Sequence, residues 1–243
     1  MEEDEYRLMD EAEATMWWYR ALHARLIAAL APISGTVLDA GCGTGGFLAA
    51  LATSRPDLAR FGIEYQPSAA RRAAAKSHTP VATGSILSLP FPDTSFDAIV
   101  SADVLCHQAV APGPALAELH RALKPGGTLV LNMPAYAWLA SAHDRRVHNA
   151  RRTTPSQLRA WLLRAGFVGI TTSFWNGLLL PVMIVQRKFL ARGDSASDVA
   201  AFPPWLDAML HAITRVETHL PFPLPAGGSI LAIARRPKPE TAA

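Results

Sequence analysis

A short apolar strand that ends in an acid and then breaks into glycines constrains this chain more than any other stretch: Val37-Leu-Asp-Ala-Gly-Cys-Gly-Thr-Gly-Gly46. Val37 and Leu38 read as the end of a buried strand, Gly41, Gly43, Gly45 and Gly46 as a tight turn, and Phe47 to Leu51 as the opening of a helix. Glycines let the backbone come close to a ligand. Gly41, Gly43 and Gly46 satisfy the G-x-G-x-x-G spacing of a dinucleotide site, where a pyrophosphate sits on the helix N-terminus. Asp39 argues for a different ligand, because a carboxylate beside the turn repels a diphosphate and attracts a molecule carrying an ammonium and a sulfonium. A structural turn with no ligand is the remaining reading.

The chain has 243 residues, half of them apolar, enough for one α/β domain with a full core and an elaboration. Two cysteines, Cys42 and Cys106, make no disulfide framework or cysteine metal cluster and read as small buried fillers. No metal is expected from the histidines either, since clustered carboxylates and a helical His-x-x-x-His are missing. The net charge is only +3, with basic residues scattered between Arg145 and Arg164 and again from Arg187 to Arg192, so no nucleic-acid partner is expected. Met1 to Glu5 is acidic, unlike a secretory signal, so a cytoplasmic protein with frayed first residues is expected. The longest apolar run, Gly177 to Val185, is interrupted by Pro181 and falls far short of the roughly 20 residues a transmembrane helix needs.

Strand and helix signals alternate along the chain. A helix is expected from Thr15 to Leu30, strands at Arg60 to Glu64, Val81 to Thr83, Phe96 to Ser101 and Thr128 to Met133, and helices from Pro67 through Ala75 and from Leu116 to Leu123. Thr154-Pro-Ser-Gln157 has the form of a capping box opening a helix that ends near Gly166, followed by a strand from Phe167 to Phe174. Gly227 to Ala234 is the last strand. This alternation implies helices on both faces of a mostly parallel sheet, with ligands at the carboxyl ends of its strands.

Glu64, which closes the second strand, would lie beside the glycine turn with Tyr65 next to it, and its carboxylate can accept hydrogen bonds from both hydroxyls of a ribose. Gly84-Ser-Ile86 closes the third strand where an adenine ring would lie, with Ser85 able to bond its amine and Ile86 to offer an apolar face. After the fourth strand, Asp103 and His107 are the groups able to move a proton near neutral pH.

The order of VLDAGCGTGG, Glu64, LPFPDTSFDAIVSADVL and LKPGGTLVLNMP, from Thr36 to Met133, resembles the class I S-adenosylmethionine-dependent methyltransferases. That resemblance implies a Rossmann-like doubly wound sheet of seven strands, the last one antiparallel and inserted before the sixth. S-adenosylmethionine is the implied cofactor, with Asp39, Gly41, Gly43 and Gly45 at its methionine part, Glu64 at the ribose, Ile86 at the adenine and Ser101 on the floor of the site. Many members carry an aspartate where this chain has Ser85. The flanks, Met16-Trp-Trp-Tyr-Arg20, Asn132 to Trp138, Ala142-His-Asp144 and His148 to Arg152, are similar to a bacterial subgroup associated with glycan, lipid or secondary-metabolite pathways. In that subgroup the N-terminal helix folds over the cofactor, so Tyr19 and Arg20 would hold the methionine carboxylate, with Trp17 and Trp18 walling the pocket. The subgroup often reads Arg-Arg-Tyr-Thr where this chain has Arg151-Arg-Thr-Thr154.

The segment from Pro134 to Arg152 reads as the acceptor wall, with Trp18, Tyr136, Trp138, His148 and Arg152 as substrate contacts. His107 and the neighbours His143 and Asp144 are the candidate general-base groups; the pair could equally stabilise its own loop. Expected boundaries are an N-terminal helical cap at 1–35, a core at 36–176, a helical insertion at 177–226, the last strand at 227–236 and a loose tail at 237–243. The insertion is apolar, which suits a hydrophobic acceptor channel, a homodimer face or a peripheral membrane contact. Methyl transfer to a small or medium, partly hydrophobic organic acceptor is the expected function. Two rivals stand beside it: a repurposed protein that binds the cofactor without turning it over, and an NAD-dependent dehydrogenase.

Overall fold

Apolar runs that carry no alternation become strands buried on both faces, and the amphipathic runs between them become the helices that cover those faces. The computed structural model describes residues 3–141, 144, 148–185 and 202–239. Helices α1 (Glu3–Ala12) and α2 (Trp17–Ala29) precede β1 (Thr36–Ala40). Then come α3 (Gly46–Ser54), β2 (Ala59–Glu64), α4 (Pro67–Ser77), β3 (Val81–Thr83), β4 (Phe96–Ala102), α5 (Pro112–Ala122) and β5 (Leu123–Pro134). A 3-10 turn at Ala137–Leu139 leads to α6 (Pro155–Arg164), β6 (Val168–Trp175), the short α7 (Leu180–Val185), α8 (Pro204–Glu217) and β7 (Ser229–Arg235).

The seven strands form one sheet in the order β3-β2-β1-β4-β5-β7-β6. The first five pair in parallel, and β7 runs antiparallel to both β5 and β6, as the resemblance implies. This topology decides where chemistry can sit. The carboxyl ends of β1, β2, β4, β5 and β6 meet at one edge, and β7 starts there, with Ser229 opposite both Pro134 and Trp175. On one face α5 and α6 bury Leu116, Leu119, Leu158 and Leu162 against β4 and β5; on the other, α2 and α3 bury Leu22, Leu26, Phe47 and Leu51 against β1 and β4.

The expected elements form, with boundary shifts that have local causes. The capping box at Thr154 and Gln157 is present in both directions, and α5 starts four residues before the apolar periodicity because Pro112 supplies a preset first helical turn. Of the first residues expected to fray, Met1 and Glu2 lie outside the described residues and Glu3 to Glu5 open the helix Glu3–Ala12, within the stretch expected as a helical cap. Its charges do not face water alone, since the Lys76 ammonium reaches from α4 to Asp10 and to the buried Glu13.

The insertion is fastened to the core by one buried carboxylate. Glu217, on the last turn of α8, accepts 2.8 Å hydrogen bonds from the backbone N–H groups of Asn176 and Leu178 and a 3.2 Å bond from Arg25 on α2. The Arg25 guanidinium lies 4.7 Å over the Trp175 ring. A second tie joins Arg20 to Asp207 at the other end of α8. Glu217→Gln keeps the shape but replaces one acceptor oxygen by a donor, so one N–H loses its partner and Arg25 loses its counter-charge. A loss of about 3 kcal/mol is expected, read as a fall in Tm of roughly 6–12 °C in calorimetry.

Candidate active site

The glycine turn sits on the carboxyl edge of the sheet and is shaped by contacts that only glycine tolerates. Gly45 has φ +92°, and a β-carbon there would stand 2.6 Å from the backbone of Ala73 in α4. Gly41 and Cys42 donate their N–H groups to the Ile63 carbonyl at 2.9 and 3.0 Å, tying the turn to β2. Gly43 N–H donates to Glu64 Oε2 at 2.9 Å, while Glu64 Oε1 accepts from Gln66 N–H at 3.1 Å and from the Tyr6 hydroxyl at 2.9 Å. A hydroxyl from α1 therefore already occupies a position suited to a sugar hydroxyl. The N-terminus of α3, where a dinucleotide would rest its pyrophosphate, is covered by Glu13: a β-carbon on Gly46 would lie 2.5 Å from that carboxylate. Glu13, paired with Lys76, therefore stands where a dinucleotide would rest its pyrophosphate.

Asp39 is buried, and its carboxyl is raised to about 8, first by loss of water and then by the neighbouring charges of Glu64 and Glu13. A cavity of about 840 Å³ takes in this cluster, with Asp39, Gly41, Gly43, Glu64, Tyr65, Ser85 and Ile86 on its wall. A cationic ligand is what such a wall accommodates: it would restore the ionised form of Asp39. Ser85 accepts from Leu87 N–H at 3.1 Å and lies beside the buried Ile86. Trp18 and Tyr19 line the cavity from α2, together with Trp17, Leu22 and His23, whose imidazole burial pushes down to about 4.

Several expected contacts fall elsewhere. Arg20 does not line the cavity; it bonds Asp207 at 2.5 Å, and Trp17 N–H bonds the same carboxylate, so the guanidinium is spent on holding α8. Ser101 is fully buried beneath the turn, where its hydroxyl donates to the Ala40 carbonyl at 2.8 Å and stitches β4 to β1. Gly45 shapes the turn from behind without reaching the cavity. Tyr136 stacks between Trp138 and Phe174 at ring separations of 5.6 and 5.4 Å, on a surface outside the cavity, because the aromatic partner on β6 draws it away.

The other half of the cavity is built at the ends of β4, β5 and β6. Asp103 follows β4 with φ +54°, a left-handed conformation that aspartate tolerates better than most side chains. Asn132 Nδ2 donates to both of its carboxylate oxygens, at 3.1 and 3.0 Å, and burial raises the Asp103 carboxyl to about 7. Nearby, Asp144 is buried and accepts from Ser141 N–H at 2.7 Å and from Arg152 at 2.9 to 3.2 Å, a pair that closes the loop after β5. Arg152, His107, His148 and Asn149 line the cavity here. His143 lies outside the described residues. Sequence reasoning missed Tyr6, Met9 and Glu13, which line the cavity from the stretch expected only as a helical cap. Among the described residues no cluster of His, Cys, Asp and Glu could hold a metal, and no helix is long and apolar enough to cross a membrane.

Residues 38–131 match a family model described as a methyltransferase domain. The chain is 37% identical over 111 residues to 24-methylenesterol C-methyltransferase 2 of Arabidopsis thaliana, covering 43% of this chain and 29% of that protein. It is 33% identical over 183 residues to dimethylglycine N-methyltransferase of Parasynechococcus marenigrum, covering 70% and 64%. The chain thus spans less than two thirds of the length of either relative. A crystal structure of an S-adenosylmethionine-dependent methyltransferase from Thermotoga maritima superposes with a TM-score of 0.61 at 17% identity, covering 96% of this chain and 95% of that one. At that identity the likeness speaks for the fold.

Asp39 generates a test that needs no ligand. Its folded carboxyl titrates near 8 and its unfolded one near 3.8, so the folded state holds a proton that the unfolded state releases. Stability is then lost as pH rises from about 4 towards 8, by at most about 1.4 kcal/mol per pH unit. Asp39→Asn is expected to raise the Tm of the ligand-free protein by several degrees at pH 8 and by little near pH 4, measured by thermal denaturation across that range.

Proposed function

Because the chain carries a class I S-adenosylmethionine-dependent methyltransferase domain, we propose that it transfers the methyl group of that cofactor to a small or medium, partly hydrophobic organic acceptor. The observation that carries this reading is the sharing of one 840 Å³ cavity by the cofactor cradle, the proton-moving Asp103 and an apolar wall that includes Trp17, Trp18, Leu22, Met183 and Phe202. A glycan, lipid or secondary-metabolite pathway is the setting we assign to it, on the likeness of its flanking motifs.

The residues present fit the cofactor. Glu64 would hold the ribose hydroxyls, in the place the Tyr6 phenol takes, and Gly41 and Gly43 offer a wall without side chains. Asp39 would face the cationic methionine end, and Ser85 and Ile86 would flank the adenine. The bound cofactor supplies an electrophilic methyl group. What the protein adds is alignment, exclusion of water and, where the acceptor needs it, removal of a proton.

Asp103 is the group placed to take that proton at a carboxylate oxygen. Its carboxyl is raised to about 7 by burial, close to the working pH of a general base. Asp144, the sequence-based candidate, is bound on both oxygens by Arg152 and by Ser141, which suits it to holding the acceptor wall in shape. His107 lines the cavity in the same loop as Asp103 and is the second candidate for proton transfer. The aromatic and aliphatic side chains of α2 exclude water from above.

Transfer of labelled methyl from S-adenosylmethionine to a host small-molecule extract, with mass spectrometry of the product, tests the reading. Wild-type protein is expected to label an acceptor, with a rate that rises as pH passes about 7 and Asp103 ionises. Asp103→Asn is expected to lower that rate by about 10²- to 10⁴-fold while S-adenosylhomocysteine binds as before. Binding of the cofactor with no acceptor ever labelled would sink the enzymatic reading in favour of a repurposed binding protein.

A further inference from the structure

Asn132 is an amide in the middle of an apolar strand, Leu129-Val-Leu-Asn-Met133, and its side chain is fully buried. Burying an amide there costs free energy unless its polar atoms are satisfied. They are satisfied in one direction only. Trp175 Nε1–H donates to Asn132 Oδ1 at 2.8 Å, and an indole nitrogen can donate but never accept. The amide oxygen must therefore face Trp175, which turns the NH₂ group onto Asp103, where it donates to both carboxylate oxygens at 3.1 and 3.0 Å. The backbone repeats the link, Asp103 N–H donating to the Asn132 carbonyl at 3.0 Å, and together these bonds hold Asp103 in its left-handed conformation.

Trp175 is itself anchored from the far side. Arg25 lies over its ring at 4.7 Å, and Glu217, on the last turn of the insertion helix α8, binds Arg25 together with the backbone just after Trp175. The Trp18 ring touches Trp175 at 5.9 Å, so the cap helix α2 packs on the same indole. These contacts form a continuous chain from insertion to cavity.

We infer that Asn132 and Trp175 are positioning residues for Asp103: the indole fixes the amide, the amide fixes the carboxylate, and Arg25 with Glu217 ties this relay to the helical insertion. The inference rests on the reading of Asp103 as proton acceptor for its functional meaning, though the relay can be tested apart from it. Other charged or titratable groups facing Asp103 are Arg152, whose guanidinium favours the ionised form, Asp144, which opposes it, and the Cys106 thiol, which donates to the Asp103 carbonyl at 3.0 Å.

The chain has six tryptophans, so the indole N–H resonances of ¹⁵N-labelled full-length protein are resolvable, and Trp175→Phe assigns the one in question. With the relay in place, the Trp175 indole resonance is expected to titrate between pH 5.5 and 8.5 together with the Asp103 carboxyl, and to become flat in Asp103→Asn. A resonance that is flat in the wild type, or that titrates equally in Asp103→Asn, overturns the proposal. Trp175→Phe leaves the Asn132 amide free to turn, so the ¹³C-observed midpoint of Asp103 is expected to move up by about one pH unit, and the acidic limb of the pH–rate profile with it. An unmoved midpoint in a folded Trp175→Phe protein also counts against the relay. If the indole titrates as expected while Asp103→Asn transfers methyl at the wild-type rate, the base assignment fails and the relay stands.

Discussion

Carboxylates gathered where water is scarce and protein cations are few set the terms for everything at the carboxyl edge of this sheet. Asp39 and Glu64 lie near the carboxyl ends of neighbouring parallel strands, each disfavouring ionisation of the other, and Glu13, in the turn just after α1, adds a third acid. The fold relieves this unevenly. Glu64 receives two backbone N–H groups and the Tyr6 hydroxyl, and Glu13 receives Lys76, but the groups around Asp39 only push its carboxyl upward. A buried acid held protonated by its surroundings is a binding site for positive charge: a cation entering beside it recovers free energy that folding has left unrealised.

The antiparallel β7 gives the other half of the cavity its composition. By pairing between β5 and β6 it separates these two strands by one strand's width, close enough for the indole of Trp175 to reach Asn132 across it. The same placement brings the start of β7 and the segment leaving β6 to the edge where β4 delivers Asp103. Topology here acts as chemistry, because it decides which way a single amide faces.

What was legible in the sequence was local. The glycine turn, Glu64 at the end of β2, the capping box at Thr154 and the alternation of strands and helices along the chain follow from residues a few positions apart, whose backbone preferences and periodicity suffice, whereas the place of β7 in the sheet came from the resemblance. The misses are long-range pairings. Arg20 was read towards the cofactor because the resembling subgroup folds its N-terminal helix over it; here its partner is Asp207, 187 residues away, and no local pattern announces that pairing. Tyr136 was read into the cavity for its place after β5, yet Phe174 on β6 offers a stacking partner on the other side. Lys76, which binds Asp10, lies 66 residues from it, so no local pattern pairs the two. Asp103 was seen as a proton carrier, but its preference over Asp144 depends on which of the two Arg152 grips.

The single cavity also bears on how a catalytic cycle would turn over. The fresh cofactor would bring two positive charges to these carboxylates, an ammonium and a sulfonium, and the spent one would keep only the ammonium, so the cluster around Asp39 would favour the fresh form. Under the reading proposed above, differential attraction of this kind would weaken the hold on the spent cofactor relative to the fresh one. Tyr6 adds a structural counterpart, for its phenol can return to Glu64 Oε1 when a sugar hydroxyl leaves. Under that reading the cradle would suit a cofactor exchanged each cycle, with Glu13 standing at the α3 N-terminus against Gly46.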